Sequence, residues 1–187
     1  EQKITFPFGN QLPNPIYWVN HHIKESDTKN ATIAITHGDL HGDNIFVDKD
    51  NAWVIDFERS GEGPIFRDFV ELEIDIITRL LSLPNNNLSD LFEICILLTS
   101  PSDLGETYKA SRLPDVQLNK ALSVIQDLRS IAYTVTGISD FREYLWTLLL
   151  SAVNLASTTP ENDLRKMRAL IYSSVICSRL DHWDEIW

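Results

Sequence analysis

The chain has 187 residues, 43% apolar and 23% charged, which suffices to bury one full core and is not the composition of a disordered segment. Its net charge of −11 and pI of about 4.8 argue against nucleic acid as the main partner and suit either a cationic ligand or a solvated acidic surface. The longest apolar run, over residues 144–156, is broken by Thr147, Ser151 and Asn154 and is too short to span a bilayer, so no membrane association is expected and the chain reads as soluble and cytoplasmic.

Residues 1–30 are polar and punctuated by Gly9, Pro13 and Pro15, with one short helix expected over Tyr17 to Lys24. β-Branched alternation then predicts strands at Thr32 to Thr36, Asn44 to Val47 and Ala52 to Phe57, the last two joined by a hairpin turn at Asp48-Lys49-Asp50-Asn51. Gly61-Glu62-Gly63-Pro64 marks a break. Beyond it, apolar residues recur at helical spacing from Ile65 to Leu83, and Pro84 with three asparagines closes the run. Four more helices are expected over Leu88 to Leu98, Pro114 to Val135, Ser139 to Ala156 and Pro160 to Ile186, with Ser139 and Thr159 as N-caps and Pro160 at a first helical position. The expected fold class is α+β, mostly α: one domain with an N-terminal segment (1–30), a β-hairpin region (31–64) and a helical bundle (65–187). Cys95 and Cys177 sit in apolar helical stretches and read as buried free thiols of a reducing compartment, and Trp146, Tyr144, Trp183 and Trp187 read as core.

Chemistry concentrates in His37-Gly38-Asp39-Leu40-His41-Gly42-Asp43-Asn44 and in Val54-Ile55-Asp56-Phe57-Glu58. Phosphoryl transfer from a nucleotide needs a carboxylate to orient and deprotonate the attacking hydroxyl, and hard oxygen ligands to hold magnesium against the phosphates. An Asp and an Asn five residues apart on one loop put a base beside one metal ligand. A hairpin from Asn44 to Asp56 then returns a second carboxylate to the same place.

These residues resemble the catalytic loop and metal-binding strand of the aminoglycoside phosphotransferase and choline kinase group, relatives of the protein kinases. The likeness covers residues 32–75. It implies a kinase-like C-terminal lobe in which Asp39 is the catalytic base, and Asn44 and Asp56 bind magnesium and, through it, ATP or GTP. Glu58 matches the Ile-Asp-Phe-Glu form of choline-kinase-like members and joins the metal group or forms an ion pair with Arg59 or Arg67. Asp68, twelve residues past Asp56, matches a buried acid that braces the loop, and His37 is a structural support that hydrogen-bonds the loop backbone. The implied acceptor is a small-molecule hydroxyl compound.

The kinase-like N-terminal lobe has a Gly-rich loop and a lysine for the phosphates. Residues 1–30 hold no Gly-x-Gly-x-x-Gly, and Lys3 and Lys24 lack a strand context, so that lobe is expected in another segment, from another chain, or to have been lost in evolution. The start at Glu1 without a methionine suggests a segment of something longer. The chain alone is expected to be weakly active or inactive, with an apolar upper surface open to a dimer contact or a partner. Two rivals stand beside this reading. One is a catalytically silent kinase-like module that binds or scaffolds within a larger signalling or defence protein. The other is a metal-dependent phosphoesterase built on Gly38-Asp39-Leu40-His41-Gly42, which needs further His and Asp ligands where only His21, His22 and His182 remain.

Overall fold

The computed structural model describes residues 1–23, 31–83, 87–106, 113, 115–160 and 163–184. Within them the chain is an α+β fold, mostly helical, with three antiparallel two-stranded sheets. Lys24, Pro84, Pro114, Ile186 and Trp187 lie outside the described residues.

The chain opens on a hairpin, β1 (Lys3–Thr5) against β2 (Gln11–Pro13), which sequence periodicity does not disclose because three-residue strands offer too few alternating positions. Helix α1 (Pro15–His22) starts before Tyr17 because the Asn14 side chain accepts from the Ile16 and Tyr17 N–H groups and Pro15 takes the first position.

β3 (Ile33–Thr36), β4 (Ile45–Val47) and β5 (Ala52–Val54) match the expected strands in order, and the β4–β5 turn closes with Asp48 N–H donating to Asn51 C=O at 3.0 Å. The Asp48 carboxylate accepts from the Asp50 and Asn51 amides, which hold it below the usual carboxylate range.

Two expectations are corrected here. The third strand stops at Val54 rather than Phe57, because Asp56 adopts a left-handed φ of 63° and Phe57–Arg59 forms a 3₁₀ turn. Gly61 to Pro64 is not a break but strand β6 (Gly61–Pro64), antiparallel to β3 with Ile35 opposite Glu62. Pro64 is tolerated because β6 has a partner on one side only.

The helices are α2 (Arg67–Asp75), which runs into a π turn over Ile76–Leu80, then α3 (Leu88–Thr99), α4 (Val116–Thr136), α5 (Phe141–Thr158) and α6 (Leu164–Asp181). Asn87, Asp115, Asp140 and Asp163 cap α3 to α6, each accepting from backbone N–H groups of the first turn. Ser139 and Thr159 are therefore not the caps, and Pro160 precedes α6 instead of starting it. A charged acceptor beside the positive helix end outcompetes a hydroxyl.

Helix α6 runs through the centre and packs on α1, α3 and α5, with every residue from Arg168 to Cys177 buried except the half-buried Leu170. Phe66, Leu91, Ile94, Tyr144 and Leu145 belong to the same core, each fully buried. Trp146 and Trp183 pack against this core, and Cys95 and Cys177 are both buried and free, with burial raising both thiols. Arg168 and Arg179 donate to the carbonyls of Leu81 at 2.7 Å and Thr99 at 3.1 Å, satisfying helix ends inside the core. No helix among the described residues is long and apolar enough to cross a membrane.

Candidate active site

Helix α2 organises the loop from residue 37 to residue 44. Asp68, Glu71 and Asp75 stand at i, i+3 and i+7, which places them on one face. Each carboxylate accepts backbone N–H groups of the loop in register. Asp68 takes the amides of His37 (2.8 Å) and Gly38 (2.9 Å), Glu71 takes that of Leu40 (3.0 Å), and Asp75 takes that of Gly42 (2.8 Å). Asp68 makes the bracing contact expected of it but is half-buried rather than buried, because this face of α2 borders an open cleft.

Two arginines complete the clamp. Arg67 donates to the Gly38 carbonyl at 2.5 Å and to Glu71 at 3.0 Å. Arg79 donates twice to Asp75, at 2.6 and 2.7 Å, and reaches Asp43 at 2.9 Å. The π turn, closed by Leu81 N–H on the Ile76 carbonyl, carries Arg79. Burial pushes Asp75 up, but the Arg79 bonds and the Gly42 amide together outweigh it and hold this carboxyl below its usual range. Glycine is required at 38: its φ is +83°, and a Cβ there would lie 2.3 Å from the Arg59 carbonyl oxygen.

Within this frame the Asp39 side chain is one-third exposed, with Arg59 Nη1 at 3.3 Å from Oδ2. Asn44 is buried, and its Nδ2 donates to the Asp39 carbonyl at 2.9 Å. That bond fixes which end of the amide is which, leaving Oδ1 as the end able to face a cation. The hairpin register does the rest. Ile45 lies opposite Val54 and Ile55 N–H bonds the Asn44 carbonyl, so Asp56 emerges beside Asn44 at the end of the ladder.

His37 Nε2 donates to the Ile55 carbonyl at 2.8 Å and the ring meets Phe57 edge-on, tying the loop to the segment that carries Asp56. Its Nδ1 is buried without a hydrogen-bond partner. Asp39 and Asn44 are thus bonded to each other, Asp56 follows the residue whose N–H bonds the Asn44 carbonyl, and His37 and Asp68 tie the loop from behind.

Glu58 differs from expectation. It is exposed, and the two arginines suggested for it are engaged elsewhere, Arg59 with Asp39 and Arg67 with Glu71. Spacing alone also leaves four residues unassigned: Arg67, Glu71, Asp75 and Arg79. The helical interval from Asp68 through Glu71 to Asp75 is the signal that could have found the acids.

Asn44 and Asp56 could supply one neutral and one charged oxygen, a donor set that suits magnesium shared with phosphates rather than a metal cage made by protein alone. No group of three or more His, Cys, Asp or Glu side chains among the described residues is placed to hold a metal ion. His21 and His22 sit on α1 and His182 follows α6, and among the described residues no His, Asp or Glu group extends the Gly38–Gly42 motif into a two-metal site.

A cleft of about 330 Å³ opens in front of Asp39, between the loop, α2 with its π turn, and the face of α5 bearing Ser151, Asn154 and Thr158. No curated protein and no solved structure matches the chain. One family model does match it, over residues 1–155, a span that takes in the loop, the hairpin, the clamp and most of α5. By that match the chain belongs to the ternary complex associated domain 9 family.

Proposed function

We propose that this chain is the floor of a kinase-like phosphotransferase site, acting on ATP or GTP with magnesium and on a hydroxyl of a small molecule. One observation carries the reading: α2 holds the loop by four backbone amides so that Asp39 fronts a ligand-sized cleft while the β4–β5 register sets Asp56 beside Asn44. Asp39 Oδ2 is engaged by Arg59, so Oδ1 is the atom that orients the acceptor hydroxyl and takes its proton. Magnesium, when bound, neutralises the phosphate charge that builds during transfer. Asn44 and Asp56 would hold it, Asp56 standing two residues past the end of β5 on left-handed backbone.

The roof over the nucleotide belongs, on this reading, to another lobe. The chain alone should therefore bind magnesium-ATP weakly and turn it over little. Calorimetry of the chain with magnesium and ATP checks this, and micromolar affinity with measurable phosphorylation would mean that the floor is sufficient. Joined to its roof, the floor should support magnesium-dependent transfer. An assembly that binds nucleotide without any transfer to a hydroxyl would sink the proposal.

The ligand pair makes a sharper forecast. Asp56→Ala should weaken magnesium binding in the presence of nucleotide more than Asn44→Ala, because a carboxylate contributes more than an amide at a hard cation. Melting temperature should rank the other way, since Asn44→Ala deletes a buried hydrogen bond worth about 1 kcal/mol, whereas the Asp56 side chain is exposed. Equal or reversed magnesium losses undo the assignment.

A second reading, a silent module that scaffolds an assembly, is favoured by a separate observation. Ile33, Ile35, Phe46, Val47, Trp53 and Phe57 are each at least 48% exposed, a concentration of apolar surface on β3, β4, β5 and the turn after them that suits a protein contact. The family's description as complex-associated points the same way. The two readings part on whether Asp39→Asn changes any activity.

A further inference from the structure

The cleft before Asp39 is lined by acidic side chains, and in a chain of net charge −11 the first expectation is a cationic acceptor. The ion pairs point elsewhere. Asp39 holds Arg59, Glu71 holds Arg67, and Asp43 and Asp75 share Arg79. Every carboxylate in the lining thus already has a guanidinium partner, and the Leu40 and Gly42 amides occupy Glu71 and Asp75 further. An entering ammonium group would share carboxylates that already hold guanidinium groups, and at pairs this open to water it gains little from them. An anion meets arginines already committed to acids: Arg79 gives three of its five N–H groups to Asp75 and Asp43, and Arg165 gives two to Asp163, at 2.8 and 3.0 Å.

The opposite wall is neutral and polar. Ser151, Asn154 and Thr158 stand at i, i+3 and i+7 on α5, so they form one ladder down the cleft. The Thr158 hydroxyl donates to the Asn154 carbonyl at 2.9 Å and keeps its lone pairs for an incoming donor. No protein group among the described residues bonds the Ser151 hydroxyl or the Asn154 side-chain amide, so their hydrogen-bonding capacity is left to whatever occupies the cleft. Leu40, Ile74 and Leu155 add an apolar strip between this ladder and the charged wall.

Hydroxyl-sized donors and acceptors on one side, a C–H-accepting strip beside them and fully paired charges on the other describe a site for an uncharged polyhydroxy ring. The volume of about 330 Å³ lies at the small end of ligand pockets, which fits one ring rather than several. We propose that the acceptor of this site is a neutral polyol of monosaccharide size, read by Ser151, Asn154 and Thr158, and not an amine. This rests on the assignment of the cleft in front of Asp39 to the acceptor, but its test needs neither nucleotide nor turnover.

Three rings of one size and differing charge separate the possibilities: glucose, glucosamine at a pH where its amine is protonated, and glucuronate. Each is titrated into the 187-residue chain and followed by saturation-transfer and chemical-shift NMR. Glucose should bind most tightly, by about tenfold over either charged ring, the scale of an ion-pair rearrangement of roughly 1.4 kcal/mol. Asn154→Leu and Ser151→Ala should each weaken glucose by roughly threefold to tenfold, as expected for one neutral hydrogen bond, with unchanged melting curves.

Preference for glucosamine would make this a cation site and overturn the proposal. Preference for glucuronate, no binding by any ring, or glucose binding indifferent to Asn154 and Ser151 would overturn it equally. Loss of phosphoryl transfer with ring preference intact counts against the kinase-like reading alone, so the two fail separately.

Discussion

Replacing Asp39 with Asn should lower phosphoryl transfer by about a hundredfold to ten-thousandfold, the usual cost of losing a general base. The substitution is nearly isosteric and keeps the Asp39 backbone carbonyl, to which Asn44 Nδ2 donates, so the loop geometry and the position of Asn44 survive it. What disappears is the proton acceptor and the contact with Arg59. That ion pair joins side chains 33% and 69% exposed, and a pair so open to water contributes about 0–1 kcal/mol. The melting temperature should therefore stay nearly unchanged while the rate collapses. The measurement belongs in the assembly that carries both floor and roof, with binding of magnesium-ATP followed in parallel. Unimpaired turnover in Asp39→Asn would remove the residue from the base role, and a fall in stability of several kcal/mol would show that the aspartate serves the fold instead.

The candidate site was legible because its chemistry is local. Asp39 and Asn44 lie on one loop and Asp56 lies one hairpin away, so strand pairing at short range makes the Asn44–Ile55 backbone pairing readable from spacing. The clamp behind the loop was less so. Asp68 is the first of three acids on one face of α2, but Glu71 and Asp75 look like ordinary surface charges until the loop is laid against them. Backbone amides are the missing half of these bonds, and no side-chain pattern announces an amide. The ion pair suggested for Glu58 is not made among the described residues, for the converse reason. Adjacent arginines in sequence suggest ion pairs, whereas the 3₁₀ turn after Asp56 sends Arg59 to Asp39 and leaves Glu58 in solvent.

The helical part was legible by period but not by boundary. Apolar spacing locates α3, α4, α5 and α6, while the ends follow whichever polar side chain reaches the first free amides, and Asp140 and Asp163 reach them ahead of Ser139 and Thr159. The small strands fall at the other limit. At three or four residues each, β1, β2 and β6 carry too little alternation to stand out, and Gly61 and Gly63 in β6 read as punctuation when they are in fact paired with Thr36 and Ala34.

The other face of α2 carries the largest stability effect expected of any single site. Glu73, completely buried, accepts from Arg129 Nε at 2.9 Å and Nη2 at 2.5 Å and from the Tyr144 hydroxyl at 2.7 Å, and it is bonded as well by the Tyr172 hydroxyl. Arg129 reaches on to the Leu98 carbonyl at 2.6 Å and lies over the Phe141 ring at 4.9 Å. One carboxylate thereby joins α2 to α4, α5 and α6, with α3 drawn in through Leu98. Burial, with the Glu73 charge adding to it, pushes both tyrosine hydroxyls well above their usual range, so they remain protonated donors. Glu73→Ala leaves the Arg129 guanidinium in the core without its carboxylate, and removing one partner of a buried pair costs about 3–5 kcal/mol. For a chain of 187 residues that is a drop in melting temperature of roughly 6–20 °C. Arg129→Met alone should cost a similar amount by stranding the carboxylate, while the pair Glu73→Leu with Arg129→Met should recover much of the loss, because the charges are then absent together and their desolvation cost is removed. Thermal and urea unfolding of the three variants measures this directly. Additive losses in the double variant would show that the two residues act independently, and single losses under about 1 kcal/mol would show that the buried cluster is not what ties α2 to the bundle.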